Sequence, residues 1–303
     1  MKINLGQTYS FCQTGLRSNQ EDARFPDSDM PDRPKPFFVV CDGVGGSDGG
    51  EVASKTVCKS FGRSLGNFDW SQPFTRQEFG RVLETAYKAL DRVVDEENFD
   101  MATTLAFAAF HQGGCTMAHI GDSRVYQFRP PIGILYRSED HSLIGSLVKS
   151  GILSPDDAQN HPQASTITRY MSPEGVQNEH FPATVYQTTD ISQGDYILLC
   201  SDGVLDQIDE EKLAEIICGH NDDKQKIKML ADLCSKSQDN NTAILIPVVS
   251  VSEAPHSTEA QDSDEEVSVT QRLTDISFHV YEVGSEAKSL KEKLSHLVNK
   301  IFN

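Results

Sequence analysis

The sequence VVCDGVGGSDGGEVAS, residues 39–54, runs from an apolar strand pattern through Asp42 and five glycines into a helical pattern. A glycine-rich loop before a helix often binds phosphate through backbone N–H groups at the positive end of the helix. This loop lacks the Lys-Ser/Thr of a nucleotide-binding loop, and its first polar group is an acid, which repels phosphate. The segment therefore favours a cation site at the end of a strand.

The pattern around this segment predicts the fold class. Short apolar runs bounded by Gly, Asp, Asn or Pro predict strands over 37–41, 103–110, 115–120, 125–128, 196–201 and 242–249. Apolar residues at three-to-four spacing predict helices over 51–65, 77–97, 142–159 (a pair broken at Gly151 and Pro155) and 209–236 (two helices). Two adjacent helices followed by a run of strands argue against a regularly alternating parallel sheet. They predict an α+β fold with segregated layers.

Charge and cysteine content narrow the classes of partner. The chain of 303 residues has 27 Lys plus Arg and 45 Asp plus Glu, a net charge of −18, which opposes a nucleic-acid surface. Seven scattered cysteines without a Cys-x-x-Cys pair indicate a reducing compartment, so we expect a cytoplasmic protein. No apolar run approaches the length of a membrane span. Metal cations and basic peptide segments fit this composition best.

Acidic residues recur at strand ends. Three aspartates stand at the ends of apolar runs: Asp42, Asp122 and Asp202. Asp239 stands just before a predicted strand, and the acidic pair Glu21–Asp22 follows Arg17. Any one junction alone is more typical of a turn. Together they favour carboxylates that converge on Mg²⁺ or Mn²⁺, which prefer oxygen ligands.

Two such ions, about 3.5–4 Å apart, can share a bridging carboxylate and generate a hydroxide for in-line attack on phosphorus. Glycine at Gly43 would let its carbonyl reach a metal, and Gly45 and Gly46 would let the chain turn away without crowding the water shell.

Seven segments complete the pattern, in the order RSNQEDARF, VVCDGVGGSDGGEVAS, ATTLAFAAF, AHIGDSRVYQF, EDHSLIGSLVKSGILSPDDAQNHPQASTITRYM, GDYILLCSDGVLDQI and DNNTAILI. This series resembles the metal-dependent protein phosphatases of the phosphatase 2C type over most of residues 5–248. The segment 140–171 resembles the bacterial branch in particular. The resemblance implies a four-layer α-β-β-α sandwich with two central, mainly antiparallel sheets and a metal site at one edge.

The resemblance also implies two tightly bound Mn²⁺ or Mg²⁺ ions and a third, weaker one. Asp42 would bridge the two tight ions, the Gly43 carbonyl would serve one of them, and Asp202 and Asp239 would complete the other. The third ion would be held in part by Asp122 and Asp206.

Three further residues take roles around the metals by the same resemblance. Glu21 and Asp22 would hold metal-bound water, and Arg17 would clamp the substrate phosphate. Four positions depart from the family pattern without removing a metal ligand. Val44 stands where many eukaryotic members have a histidine, Gln20 replaces the usual Asn, Ala102 replaces a glycine, and 171–172 replaces a small-residue ending.

The implied function is hydrolysis of phosphoserine and phosphothreonine on proteins, in opposition to a cognate serine/threonine kinase. We expect a monomer with phosphorylated protein substrates, no nucleic-acid partner and no membrane span. Two alternatives stay open: a catalytically weak phosphopeptide-binding regulatory module, and a phosphatase dedicated to one regulator. The complete set Asp42, Asp202 and Asp239 favours an enzyme, because a binding module has no need of it.

Composition divides the chain into three parts. Residues 1–250 are expected to form the phosphatase domain, and the Ser-, Glu- and Asp-rich residues 251–270 an acidic linker. Residues 271–303 are expected to form an extension. Within it, 289–302 has apolar residues on one helical face and predicts an amphipathic helix.

Overall fold

The computed structural model describes residues 1–27, 35–44, 49–94, 100–158, 161, 163, 166–174 and 180–252. Gly45 and Gly46, the linker beyond 252 and the helix predicted over 289–302 lie outside the described residues. Within the described part, no helix is both long enough and apolar enough to cross a membrane.

The described residues form thirteen strands and seven helices. The strands are β1 (Lys2–Leu5), β2 (Tyr9–Gln13), β3 (Ala23–Phe25), β4 (Phe37–Cys41), β5 (Gly43–Val44), β6 (Ala102–Thr103), β7 (Leu105–His111), β8 (Gly114–Ile120), β9 (Arg124–Arg129), β10 (Gly133–Arg137), β11 (Thr184–Thr188), β12 (Tyr196–Cys200) and β13 (Asn241–Ser252). The helices are α1 (Gly49–Leu65), α2 (Arg76–Val93), α3 (Leu143–Lys149), α4 (Pro155–Ala158), α5 (Asp202–Leu205), α6 (Glu210–Cys218) and α7 (Asp223–Cys234).

The strands form two main sheets with antiparallel pairing. One sheet has the order β1-β13-β12-β9-β10, with β2 also paired to β13, and the other has the order β11-β8-β7-β4-β3. The short strands β5 and β6 pair separately. The twelve-residue strand β13 pairs with β2 at its first half and with β1 at its second half, through Ser252 opposite Lys2.

The alternation of side chains along β4 shows how the layers stack. Phe37, Val39 and Cys41 face a core shared with α1 and α2, whereas Phe38 and Val40 face a core between the two sheets. Successive strand residues point to opposite faces, so a run that is apolar throughout fits a strand covered on both sides. β4 is such a strand.

A third core closes the opposite side of the molecule. Leu198 and Leu245 of the β1-β13-β12-β9-β10 sheet pack with Leu213, Ile216 and Leu230 from α6 and α7. The order of layers is therefore helices, sheet, sheet, helices. The predicted α-β-β-α sandwich is confirmed.

Element boundaries differ from the sequence prediction where a local contact intervenes. The strand predicted over 103–110 is divided at Thr104, whose N–H donates to the carbonyl of Asp42. The helix predicted over 77–97 ends at Val93, because Val94 adopts an extended conformation with ψ of 136°. Its beginning is fixed by a capping box between Thr75 and Glu78.

Candidate metal centre

Asp42 directly follows β4, and hydrogen bonds fix its main chain. Its N–H donates to Thr104 Oγ1 at 2.9 Å, and its carbonyl accepts from the Thr104 N–H at 2.8 Å and the Thr103 hydroxyl at 2.9 Å. Thr104 Oγ1 also lies 2.6 Å from the hydroxyl of Ser123, the neighbour of Asp122. One connected network therefore supports the ends of two acid-bearing strands.

Gly43 packs against the start of α1. A Cβ at this position would lie 2.4 Å from the backbone carbonyl carbon and oxygen of Gly50 and 2.6 Å from the carbonyl oxygen of Glu21. The Gly43 N–H donates to that same Glu21 oxygen at 3.2 Å. The close approach of three backbone segments accounts for glycine here. The metal contact through the Gly43 carbonyl stays a prediction.

Glu21 connects α1 to the segment that precedes β13. Its carboxylate lies over Gly50, where an added Cβ would come within 2.7 Å of Glu21 Oε2. Its carbonyl accepts from the Ser54 hydroxyl at 2.5 Å, and its N–H donates to Asn240 Oδ1 at 2.7 Å. A carboxylate at the N-terminal end of α1 is favoured by the helix dipole.

Asp22 is a buried acid with one unused oxygen. Its Oδ2 accepts from the Ser201 hydroxyl at 2.7 Å, and its Oδ1 has no hydrogen-bond partner within the described structure. Burial raises the pKa of Asp22 to about 7, and repulsion from Asp202 adds to the increase. Its N–H donates to Gln20 Oε1 at 2.9 Å, so the glutamine that departs from the family pattern supports the backbone of this acid.

Asp42, Asp122 and Asp202 form the centre of the acidic cluster together with Asp22. Burial raises the pKa of Asp42 well above its usual range, and the charges of Asp22 and Asp202 raise it further. Burial, followed by repulsion from Asp202, raises the pKa of Asp122 to about 7. The pKa of Asp202 is raised chiefly by burial, and its Oδ1 lacks a partner among the described residues. These shifts indicate carboxylates that need a cation to remain ionised together.

Asp206 and Asp239 lie on the outer side of the cluster. The Asp206 N–H donates to the Asp202 carbonyl at 2.9 Å, and burial and repulsion from Asp239 raise the pKa of Asp206. Asp239 accepts from Arg17 at 2.5 Å and from the Asn240 N–H at 2.8 Å. The structure therefore places Arg17 beside the cluster, in contact with a residue that the resemblance assigns to a metal.

The sequence did not indicate a role for Asn240, which holds the Arg17–Glu21 segment in place. Its Nδ2 donates to the carbonyls of Thr14 and Asn19 at 2.9 Å each, and its Oδ1 accepts from Glu21. The motif DNNTAILI contains this asparagine, but its partners lie more than 200 positions away. The contacts of Ser201 with Asp22, Thr103 with Asp42 and Gly50 with Glu21 also join separate segments of the chain, and the sequence did not indicate them.

His141 fixes the turn before Asp122. Its Nδ1 accepts from the Gly121 N–H at 3.1 Å, and Nε2 lies 2.9 Å from Thr184 Oγ1. The contact with an N–H requires an unprotonated Nδ1, so the ring is neutral. Gly121 has a φ of +95°, which favours glycine. These contacts give His141 a structural role at this turn.

The cluster suits divalent cations by its chemistry. Its donors are carboxylate oxygens, the ligands that Mg²⁺ and Mn²⁺ prefer, and two of the buried oxygens lack partners within the described structure. As the side chains stand, no three His, Cys, Asp or Glu groups of the described residues share a placement ready to hold an ion. The acids therefore converge on one edge without forming a preorganised cage, and Asp239 is engaged by Arg17.

Comparison with known proteins agrees with this architecture. The chain is 27% identical over 223 residues to serine/threonine phosphatase stp of Listeria monocytogenes, with 70% of this chain and 84% of that protein covered. The serine/threonine phosphatase PstP/Ppp of Mycobacterium tuberculosis has a TM-score of 0.71 and 25% identity, with 81% of this chain and 100% of that one covered.

A second solved structure, the catalytic domain of phosphatase PstP in complex with two manganese ions, shares the fold. It has a TM-score of 0.66 and 24% identity and covers 81% of this chain and 99% of its own. The family model described as protein phosphatase 2C matches residues 27–233, more than half of the sequence. The chain therefore belongs to the protein phosphatase 2C family.

Proposed function

We propose that this protein is a metal-dependent protein serine/threonine phosphatase that hydrolyses phosphoserine and phosphothreonine. The observation that carries the proposal is the convergence of Asp22, Asp42, Asp122 and Asp202 at one edge of the sandwich, where burial and mutual repulsion raise their pKa values. A merely structural role does not account for this cluster, since unpaired buried charges are costly.

Manganese or magnesium fits the donor set, and Asp42, Gly43, Asp202 and Asp239 are proposed to hold two ions. Asp122 and Asp206 are proposed to help hold a third, weaker one. When bound, such ions lower the pKa of water to supply the nucleophile and neutralise charge on the phosphoryl group. The two-manganese structure of PstP supports this stoichiometry for a related fold.

The protein's own side chains are proposed to divide the remaining work. Arg17, which is 59% exposed beside Asp239, can offer its guanidinium to phosphate oxygens. Glu21 and Asp22 accept hydrogen bonds from water at the cluster. Val44, which is 37% exposed, supplies no proton, so the serine or threonine oxygen takes a proton from solvent as its bond to phosphorus breaks.

The test is hydrolysis of p-nitrophenyl phosphate and of a phosphothreonine peptide, with Mn²⁺ and with EDTA. We expect turnover of both substrates that is abolished by EDTA and restored by Mn²⁺ or Mg²⁺. Binding of the phosphopeptide without metal-dependent turnover would instead favour the alternative of a phosphopeptide-binding regulatory module.

The cysteines bear on the cellular setting. Seven cysteines without a disulfide among the described residues suit the cytoplasm, where a cognate serine/threonine kinase would phosphorylate the substrates. A monomer is the simplest state. A phosphoproteome comparison after deletion distinguishes a broad phosphatase, with many accumulating phosphosites, from one dedicated to a single regulator.

A further inference from the structure

A cavity of about 590 Å³ lies between β3 and α1, beside the acidic cluster. Its apolar lining includes Ala23, Phe25, Cys58 and Gly62. Gly62 packs so closely on the Phe25 ring that an added Cβ would come within 2.5 Å of it. The volume lies in the range of small-ligand and side-chain pockets.

Cations line one side of this cavity. Lys55, Lys59 and Arg63 follow one another at four-residue spacing along α1, so they lie on one face of the helix. Arg24 lies across the cavity on β3, and two acids, Asp22 and Asp27, also line it, so four cations face two acids. This concentration of positive charge contrasts with the net charge of −18 of the whole chain.

Two of the helix cations are available to a partner. Lys59 and Arg63 are exposed, and neither has an ion-pair partner within the described structure. Lys55 pairs with Glu51 one turn earlier. Lys59 and Arg63 can therefore attract an anion without first breaking an internal ion pair.

The spacing of Lys55, Lys59 and Arg63 along α1 matches that of an extended peptide. Residues four apart on a helix are separated by about 6 Å along its axis. Alternate residues of an extended peptide are separated by about 6.6 Å. Acidic side chains at every second position of such a peptide therefore match Lys55, Lys59 and Arg63 in turn, and an apolar residue at one end of the run reaches the cavity.

We propose that the cavity and the cationic face of α1 form a docking site for an extended acidic segment, ending in an apolar residue, of the protein substrate. The inference rests on the proposed phosphatase function and adds a second recognition site to it. Asp22 and Gln20 line the cavity, and Asp22 also belongs to the acidic cluster. One phosphoprotein can therefore occupy both sites at once.

The test compares two phosphothreonine peptides that are identical around the phosphosite. One carries an additional segment in which Asp alternates with Ser and two leucines stand at its end. We expect kcat/KM for the extended peptide to be about tenfold higher with wild-type protein, and most of this gain to be lost at high salt, which screens the ion pairs. Replacing the leucines with serines should remove part of the gain, because the cavity is apolar.

The double variant Lys59→Glu and Arg63→Glu should abolish the gain while leaving p-nitrophenyl phosphate and the short peptide unaffected. Its matched control is Arg81→Glu with Arg92→Glu, which makes the same charge change on exposed residues of α2. The control should retain the gain. The neutral pair Lys59→Gln and Arg63→Gln provides a milder variant should charge reversal impair folding.

Several outcomes overturn the docking site: no gain from the acidic segment, a gain that survives reversal of Lys59 and Arg63, or an equal loss in the Arg81 and Arg92 control. Leucine replacement without effect would remove the cavity from the site. Failure of the proposed function is separate, since the short peptide would then not be hydrolysed. In that event, fluorescence anisotropy measures binding of the unphosphorylated acidic segment to wild type and to the same variants. Loss of binding in Lys59→Glu with Arg63→Glu, but not in the control, would support the docking site.

Discussion

Arg17 donates a hydrogen bond of 2.5 Å from its guanidinium to Asp239 Oδ2, and a second of 3.2 Å to the carbonyl of Gln238. The side chains are 59% and 33% exposed, so the ion pair contributes little to folding stability. The pair instead fixes the position of the Arg17 guanidinium. The pair keeps a cationic fork at the edge of the acidic cluster.

Replacement of Arg17 should separate phosphate binding from metal binding. Arg17→Ala removes the guanidinium that we propose binds the substrate phosphate, so we expect KM for a phosphopeptide to rise about tenfold or more. The same change releases Asp239 and removes a positive charge, so Mn²⁺ affinity should rise. Steady-state kinetics and calorimetric titration with Mn²⁺ measure the two effects. A fall in Mn²⁺ affinity would show that the guanidinium does not compete for Asp239.

The acids of the cluster should differ in their response to metal concentration. Asp42→Asn keeps the shape of the side chain but removes the charge proposed to bridge two ions, so activity should fall by several orders of magnitude and not return at high Mn²⁺. Asp239→Asn should weaken one ion and recover part of its activity at high Mn²⁺. Asp122→Asn should lower turnover while two ions remain tightly bound. Calorimetric metal stoichiometry and kcat, measured for each variant, distinguish the three roles. Two tight Mn²⁺ ions and normal turnover in Asp42→Asn would contradict the bridging role.

Gly43 and Gly80 make a matched pair of alanine substitutions. Gly43→Ala places a Cβ against the backbone of Gly50 and should lower the free energy of unfolding by about 2–3 kcal/mol or more. Gly80 lies within α2 with no atom within 4 Å of an added Cβ, so Gly80→Ala should raise it by about 0.5–1 kcal/mol. Urea denaturation of both variants measures the opposite signs. Equal effects would mean that backbone crowding at Gly43 is relieved by movement of α1.

Removal of Asn240 should loosen the segment that carries Arg17 and Glu21. Asn240→Ala breaks three hydrogen bonds of a buried side chain, so we expect a loss of about 2–4 kcal/mol in the free energy of unfolding and weaker Mn²⁺ binding. Asn4→Ala, which breaks one exposed hydrogen bond to Ser250, is the control and should cost little. Unchanged stability in Asn240→Ala would show that the loop is held by other contacts.

His141 should make folding stability sensitive to acid. Burial lowers its pKa to about 3, below the unfolded value of about 6.5, so the folded protein binds fewer protons. Its contribution is complete above pH 6.5 and is lost as the pH falls from 6.5 toward 3. Between pH 7.5 and 5.5, the free energy of unfolding of His141→Gln should fall by about 1 kcal/mol less than that of wild type, after allowance for partial exposure.

Chemical denaturation at the two pH values measures this difference. His220→Gln, at an exposed position after α6, is the control and should behave like wild type. An identical pH dependence of His141→Gln and wild type would mean that the imidazole can leave Gly121 and become protonated without cost.

The central strands were predictable because both of their faces are buried, which gives uninterrupted apolar runs such as Phe37–Cys41. The edge strands β10 and β11 were not predicted. They are half exposed, with alternating or weak hydrophobic patterns, and their pairing depends on β9 and β8 rather than on their own composition. Short β3 has only three residues and carries too little pattern to identify.

The convergence of Asp42, Asp122 and Asp202 was predictable for a local reason: a carboxylate directly after an apolar strand, or one residue beyond it, is visible in a few residues of sequence. The supporting contacts were not. Ser201 reaches Asp22 across 179 positions, and Asn240 reaches Thr14 across 226. Such contacts follow from how the sheets stack, which no local pattern encodes.

Asp42 lies at the end of a strand whose alternate side chains belong to two separate hydrophobic cores. Repacking of either core shifts the same backbone and with it the carboxylate. Metal affinity can therefore serve as a reporter of distant packing: conservative substitutions at Val39 and at Val40, on opposite faces of β4, should each change the Mn²⁺ dissociation constant although neither side chain lies at the centre. Metal affinity and folding stability therefore both depend on how β4 is packed.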